Sequence, residues 1–130
     1  MTNETRQMMD STGHTSSDEL IAAIDALGAC EKASSICAMA MVEGGGMAAE
    51  VHQALDCADV CEFTQRVLFR GPAPAPAVTA AVVEAAIVAC EASAAACGAH
   101  AKCHDHCQQH SGCAQACADA LRLLQKTLLG

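Results

Sequence analysis

The sequence contains no tryptophan and no tyrosine, and it has only two phenylalanines among its 130 residues. Its core therefore has to be built from smaller side chains, namely those of alanine, leucine, isoleucine, valine, methionine and cysteine. Alanine-rich apolar segments that lack runs of β-branched residues favour the helix. The alanine-rich composition thus predicts an all-α chain, and the shortage of aromatic residues predicts a core built from small and medium-sized side chains.

Basic residues are also scarce, because seven Lys and Arg face fifteen Asp and Glu, which gives a net charge of −8. This balance argues against nucleic acids and anionic membrane surfaces as partners. The uninterrupted apolar run of about 18 residues that a membrane helix needs is missing as well. Residues 1–18 are polar and acidic, without the basic start and apolar stretch of a signal peptide. We therefore expect a cytoplasmic protein.

Against these absences stand ten cysteines. In the reducing cytosol they would remain thiols instead of forming disulfides. So many thiols in a chain that is not exported indicate metal or redox chemistry.

The cysteines are densest in residues 90–117, where histidines lie between them. From Cys103, sulfur and imidazole side chains recur at Cys107, His110, Cys113 and Cys117, in steps of 4, 3, 3 and 4 residues. Such steps follow one face of an α-helix. They differ from the paired CxxC spacing of a zinc knuckle. The pattern predicts a helix that turns thiols and imidazoles toward the core.

Glycine and proline divide the chain into four helical segments of similar length. Residues 1–17 are predicted to be a disordered tail, and residues 18–130 a single domain. The predicted helices span residues 18–43, 47–70 and 77–101, with a fourth that starts between 102 and 111 and ends at 128. Four helices with short connections predict an antiparallel up-down-up-down four-helix bundle.

A helical rise of about 1.5 Å per residue places the cysteines at two levels of this bundle. The levels are counted from the mouth, the end where the first and third helices finish and the second and fourth begin. Within about 10 Å of the mouth lie Cys37, Cys97, Cys103 and Cys107. At about 15–21 Å lie Cys30, Cys57, Cys61, Cys90, Cys113 and Cys117. The mouth also collects Met41, Met47, His100, His104, His106 and His110, whereas the opposite end is hydrocarbon.

Soft thiolates select Cu(I), zinc or iron–sulfur clusters. A Cu(I) ion that replaces a thiol proton leaves the net charge unchanged, whereas zinc on four thiolates leaves a charge of −2. Iron–sulfur clusters prefer tightly spaced loop cysteines, which are absent here. The residues favour several Cu(I) ions held in storage without catalysis. Two alternatives stay open, namely a copper-cluster enzyme in the thiol half of the bundle and a zinc-binding or redox-sensing regulator.

Three parts of the sequence carry a family resemblance. Residues 103–107 (CHDHC) and 113–119 (CAQACAD) resemble the fourth helix of the four-helix-bundle copper storage proteins. Residues 57–61 (CADVC) resemble the second helix of that family, and the segment from Cys90 to Cys97 resembles the third. The resemblance runs from about Asp18 to the C-terminus.

The resemblance implies a cytosolic tetramer of bundles that holds Cu(I) on its core cysteines. The implied Cu(I) ligands are Cys30, Cys37, Cys57, Cys61, Cys90, Cys97, Cys103, Cys107, Cys113 and Cys117. The implied ligands at the mouth are His104, His106 and His110. The sequence departs from the family in having fewer cysteines, for instance at Ser34 and Ala94. This departure predicts a smaller store, or one compact cluster.

Overall fold

The computed structural model describes residues 3–13, 16–71, 75–101 and 104–128. Within those ranges the chain forms helices and no strand, which confirms the all-α prediction. The helices are α1 (Glu4–Asp10), α2 (Asp18–Gly44), α3 (Ala48–Phe69), α4 (Pro76–Gly98) and α5 (Asp105–Leu128).

Local sequence signals set the ends of the long helices. The Ser17 side chain accepts a hydrogen bond from the Leu20 backbone N–H at 3.1 Å and so caps the start of α2. Gly45, with φ of 73°, follows the last turn of α2, in a backbone conformation that glycine adopts without strain. Pro76 starts α4, where its missing N–H costs nothing. Helix α4 ends at Gly98, three residues before the predicted limit.

The four long helices form the predicted antiparallel bundle. Helix α2 packs against α3 and α5, and α4 packs against the same two helices. Arg122 of α5 donates to Glu91 of α4 at 2.6 Å, and Gln125 donates to Glu84 at 2.7 Å. The later residue of α5 contacts the earlier residue of α4, so these two helices are antiparallel.

The amino-terminal segment differs from the prediction of a disordered tail, because it contains α1. Asn3 caps this helix and also donates to Asp25 of α2 at 2.6 Å. Arg6 donates to Asp18, and Met9 is buried against the apolar core. The amino-terminal segment is polar in composition. Helix α1 is ordered by its contacts with α2, whose residues lie outside this segment.

Helix α4 is long and apolar enough to cross a membrane by length and composition, with a mean hydropathy of 1.7 over its most apolar 18 residues. In this structure it supplies core residues of the bundle, among them Val83, Ile87 and Cys90. A core helix can reach the length and mean hydropathy of a membrane-spanning helix, because its many alanines raise the mean hydropathy. Glu84 and Glu91 lie on its exposed side.

The core divides along the bundle axis, as predicted. Away from the mouth it is hydrocarbon, with large, fully buried side chains at Ile24, Leu27, Ile87, Leu121 and Leu124. Toward the mouth the buried positions are taken by sulfur-containing and small residues, including Cys37, Ala38, Met41, Ala54, Cys97 and Cys107. The hydrocarbon half supplies the packing that holds the thiol half in place.

Replacing Leu121 with alanine tests this division. Leu121 is fully buried, and its truncation is expected to lower the free energy of unfolding by about 2–5 kcal/mol. Leu123 is 55% exposed on the same helix, and Leu123→Ala should change it by less than about 0.5 kcal/mol. Urea unfolding of the reduced, metal-free protein, followed by circular dichroism, measures both. Equal losses would contradict the division.

Candidate metal centre

Five buried thiols meet across the bundle axis, and we call them the deep group. All four long helices contribute, because inward positions at one height come together in a bundle. The Sγ atoms of Cys61 and Cys90 are 3.6 Å apart, and those of Cys30 and Cys57 are 3.7 Å apart. Four of the sulfurs lie within 4.8 Å of one another. The deep group consists of Cys30, Cys57, Cys61, Cys90 and Cys117.

Three further buried thiols lie nearer the mouth, and we call them the shallow group. Cys37, Cys97 and Cys107 come from α2, α4 and α5, and their Sγ atoms all lie within 4.8 Å of one another. His106 reaches them from the edge of the mouth, with its Nδ1 atom 3.1 Å from the sulfur of Cys37 and 3.6 Å from that of Cys107. The shallow group therefore already has an imidazole neighbour.

His110 was predicted on the inward line of its helix and grouped with the mouth residues; the structure turns it inward and places it between the shallow and deep groups. This side chain is fully buried, with Nε2 2.8 Å from the Ser34 hydroxyl and Nδ1 3.2 Å from the sulfur of Cys97. Ser34 lies 3.8 Å from the sulfur of Cys30. Helix α5 starts at Asp105, so His110 stands in its second turn and faces inward. His110 and Ser34 form a polar layer between the shallow and deep groups.

The other mouth histidines have different surroundings. His104 is exposed, and its ring stacks on that of His106 with 5.2 Å between the ring centroids. The Nε2 atom of His100 lies 3.3 Å from a carboxylate oxygen of Glu50, which ties the end of α4 to the start of α3. Cys103 lies outside the described residues.

Cys113 was predicted with the deeper cysteines, but it is half-buried and belongs to neither group. The inward line of α5 runs through His110, Ala114 and Cys117, all of them fully buried. Steps of three and four residues both suit a helix, so the sequence alone does not decide whether Cys113 or Ala114 faces the core.

Two methionines lie beside the shallow group, Met41 in the last turn of α2 and Met47 just before the first residue of α3. Met41 is buried in the same cluster as Cys37 and Cys107, and Met47 packs against that cluster. Both line an open cleft of about 320 Å³ at Gly45 and Gly46. Thioether sulfur, a soft ligand, is therefore present where the thiol half of the core approaches the surface.

The deep thiols titrate as a coupled set. Hydrogen bonds from Cys117, and then from Cys57, lower the pKa of Cys30 below its ordinary value. Interactions with Cys117 and then with Cys30, together with burial, raise the pKa values of Cys61 and Cys90. The interaction with Cys30 raises the pKa of Cys57, but hydrogen bonds from Cys61 and Cys90 outweigh it and lower this pKa to about 5. The thiolates of Cys30 and Cys57 are therefore stabilised, while ionisation of Cys61 and Cys90 is opposed. A bound cation that takes the place of the proton removes this opposition.

In the shallow group, burial raises the pKa of Cys37 and also that of Cys107. Burial lowers the pKa of His110, but interactions with the sulfurs of Cys57 and Cys97 outweigh it and raise this pKa to about 9. The imidazole is thus held as a cation between the two groups of sulfur.

Comparisons with known proteins agree with this geometry. The sequence profile of the copper storage protein family (Csp) matches residues 16–126. No curated protein sequence gives a significant match. A solved structure described as copper loading to a cytosolic copper storage protein from Streptomyces lividans, with five coppers, shares 29% identity. It covers 87% of this chain and 94% of its own, with a TM-score of 0.78.

A second structure, of the copper storage protein Ccsp from Streptomyces lividans loaded with 10 copper equivalents, shares 26% identity. The alignment covers 91% of this chain and 97% of that chain, with a TM-score of 0.81.

The buried imidazole gives a pH dependence that His110→Gln tests in the reduced, metal-free protein. A pKa raised from 6.5 to about 9 in the folded state stabilises the fold fully below pH 6.5. This contribution, about 1–3 kcal/mol, is lost as the pH rises through about 9. Wild type should therefore exceed the variant most at low pH.

Denaturant unfolding at several pH values measures this gap. His52→Gln, on the exposed side of α3, is the control. A gap between wild type and His110→Gln that widens from pH 6.5 to 9 would show that the imidazole is not held as a cation.

Proposed function

This chain belongs to the copper storage protein family, and we propose that it holds several Cu(I) ions on the deep and shallow groups. The observation that supports this proposal most strongly is the deep group itself. Its fully buried sulfurs come from all four long helices, four of them lie within 4.8 Å of one another, and those of Cys61 and Cys90 are 3.6 Å apart. Thiols gathered in this way are suited to sharing soft, monovalent ions.

Charge supports Cu(I) as the ion. Each Cu(I) that replaces a thiol proton leaves the net charge unchanged, so the core can fill without a growing desolvation cost. Among the described residues no lysine or arginine is buried. Zinc on four thiolates would leave a charge of −2, with His110 as the nearest described cationic group.

Zinc is nevertheless the second candidate, because one observation favours it. The sulfurs of Cys30, Cys61, Cys90 and Cys117 all lie within 4.8 Å of one another. Four thiolates are the usual donor set of a structural zinc site. A copper-cluster enzyme is less favoured, because the deep sulfurs are fully buried and a substrate would have to reach them through the packed bundle.

The mouth is the proposed route for uptake and release. His104 and His106 supply imidazole at the surface, and Met41 and Met47 supply thioether beside the shallow group. From His106 an ion would pass to Cys37, and onward to the deep group past the polar layer of Ser34 and His110. The proposed thiol ligands are Cys30, Cys37, Cys57, Cys61, Cys90, Cys97, Cys107 and Cys117. Cys113 and Cys103, which lies outside the described residues, are the two further thiol ligands proposed from the sequence.

We place the protein in the cytoplasm, since the similar Streptomyces protein is described as cytosolic. A homo-oligomer, a tetramer by family resemblance, is also proposed. It is supported by large apolar side chains that stay exposed on the bundle. These are Ile36, Met39, Val42, Leu55, Phe63, Val78, Val88 and Leu123.

Anaerobic Cu(I) titration against a competing chelator tests storage. Thiolate sharing predicts roughly one ion for each one or two thiols, so about five to ten ions per chain. Saturation below about two Cu(I) ions per chain would contradict the storage proposal. In a parallel titration, tight binding of one Zn²⁺ that limiting Cu(I) fails to displace would favour the zinc candidate.

Serine substitutions test which thiols hold the ions. Cys90→Ser removes a sulfur from the deep group and is expected to lower the capacity by about one or two ions. Cys113→Ser is the matched control, since this half-buried thiol lies outside both groups, and it should cost less capacity. The same titration measures both variants. Equal losses would contradict the assignment of the deep group as the main store.

A further inference from the structure

The outward face of α3 carries one of the chain's two phenylalanines. Phe63 is 53% exposed, and Phe69 is 47% exposed at the end of the same helix. The core is thus packed without a phenylalanine ring, while the largest apolar side chains remain at the surface. A half-exposed ring on a long helix marks a surface that another molecule can cover.

Acidic side chains precede Phe63 along this face of α3, and basic side chains follow it. Asp56 lies seven residues before it and Arg70 seven residues after it, while Asp59 and Arg66 lie four before and three after. At about 100° per residue, all four point within about 60° of Phe63. Asp56 and Arg70 lie about 10.5 Å to either side along the axis. All of these side chains are exposed.

An apolar groove runs beside Phe63. The ring lines a cavity of about 340 Å³ between α3 and α4, together with Val60, Val82 and Ala85. A neighbouring cavity of about 530 Å³ shares part of this lining and continues to Val88, which is 58% exposed.

We propose that this face of α3 binds the same face of a second copy of the chain about a two-fold axis at Phe63. Antiparallel pairing places Asp56 opposite Arg70 of the second copy, and Asp59 near its Arg66. The two Phe63 rings then meet at the axis, each beside the groove of the other molecule. Helices that pack at about 20° and 8–10 Å keep both charged ends within reach.

Charge complementarity identifies the occupant as a second copy. The face carries two acidic and two basic side chains on opposite sides of Phe63, which is the arrangement that a two-fold interface requires. A basic partner would leave the two arginines unpaired, and an acidic partner would leave the two aspartates unpaired. The net charge of −8 opposes self-association, but exposed charges beyond about 8–10 Å are screened at physiological salt.

Two of these charges already have partners on α3. Arg66 bonds to Glu62, and the Nδ1 atom of His52 lies 3.3 Å from Asp56. Both are exposed i,i+4 pairs, which are weak. Arg66 has further N–H groups and Asp56 further lone pairs, so each can also bind across the interface.

Charge reversal tests the interface on the reduced, metal-free protein, with the mass measured by sedimentation velocity. The wild type should assemble into a multiple of the 13.3 kDa chain. Asp56→Arg or Arg70→Asp alone places like charges together, and each should weaken association at least about tenfold. An equimolar mixture of the two variants restores both ion pairs and should re-form the assembly. Phe63→Ser should weaken it similarly.

The control reverses an exposed charge outside the four long helices, with Asp10→Arg on α1, and it should leave the mass unchanged. This inference rests on the proposed self-association. A monomeric wild type would overturn both. An oligomer that is indifferent to the reversals, or single variants that their mixture fails to rescue, would overturn this interface alone. Copper capacity, measured in parallel, tests storage independently.

Discussion

Ionising a thiol inside a packed bundle leaves a negative charge that no water can solvate, and the thiol half of this core depends on how that charge is met. Neighbouring thiols stabilise the thiolates of Cys30 and Cys57, and they oppose ionisation of Cys61 and Cys90. A monovalent soft cation removes the opposition without adding net charge. The hydrocarbon half of the same bundle keeps the sulfurs at a common height, so the fold and the metal chemistry share one set of helices.

The helical rise alone predicted much of the site. Counting residues from the mouth separated Cys37, Cys97 and Cys107 from the deeper cysteines, and with the exception of Cys113 the structure brings each set together. Counting fixes height well because the rise is uniform, but it fixes rotation poorly. Cys113 and Ala114 both fit a step of three or four residues, and only packing against α2 and α4 decides between them.

The starting residue of α5 was the other quantity that the sequence left open. With α5 starting at Asp105, the spacing already put His110 on the inward face, but it did not show that the imidazole meets Ser34 on α2, a contact between residues 76 positions apart. The same limit applies to α1, whose order comes from contacts with α2 and not from its own polar composition. Local patterns predicted the helices, whereas contacts distant in sequence determined what each histidine touches.

The layer of Ser34 and His110 divides the sulfur of this bundle into two compartments. The outer one adjoins the surface cleft and would exchange ions readily with the surroundings. Among the described residues, side chains that are not thiols lie between the inner compartment and the outer one. In such a store the two compartments would respond on different timescales. The copper occupancy of the outer sulfurs would follow short fluctuations in supply. That of the inner sulfurs would change only when a shortage or an excess persists.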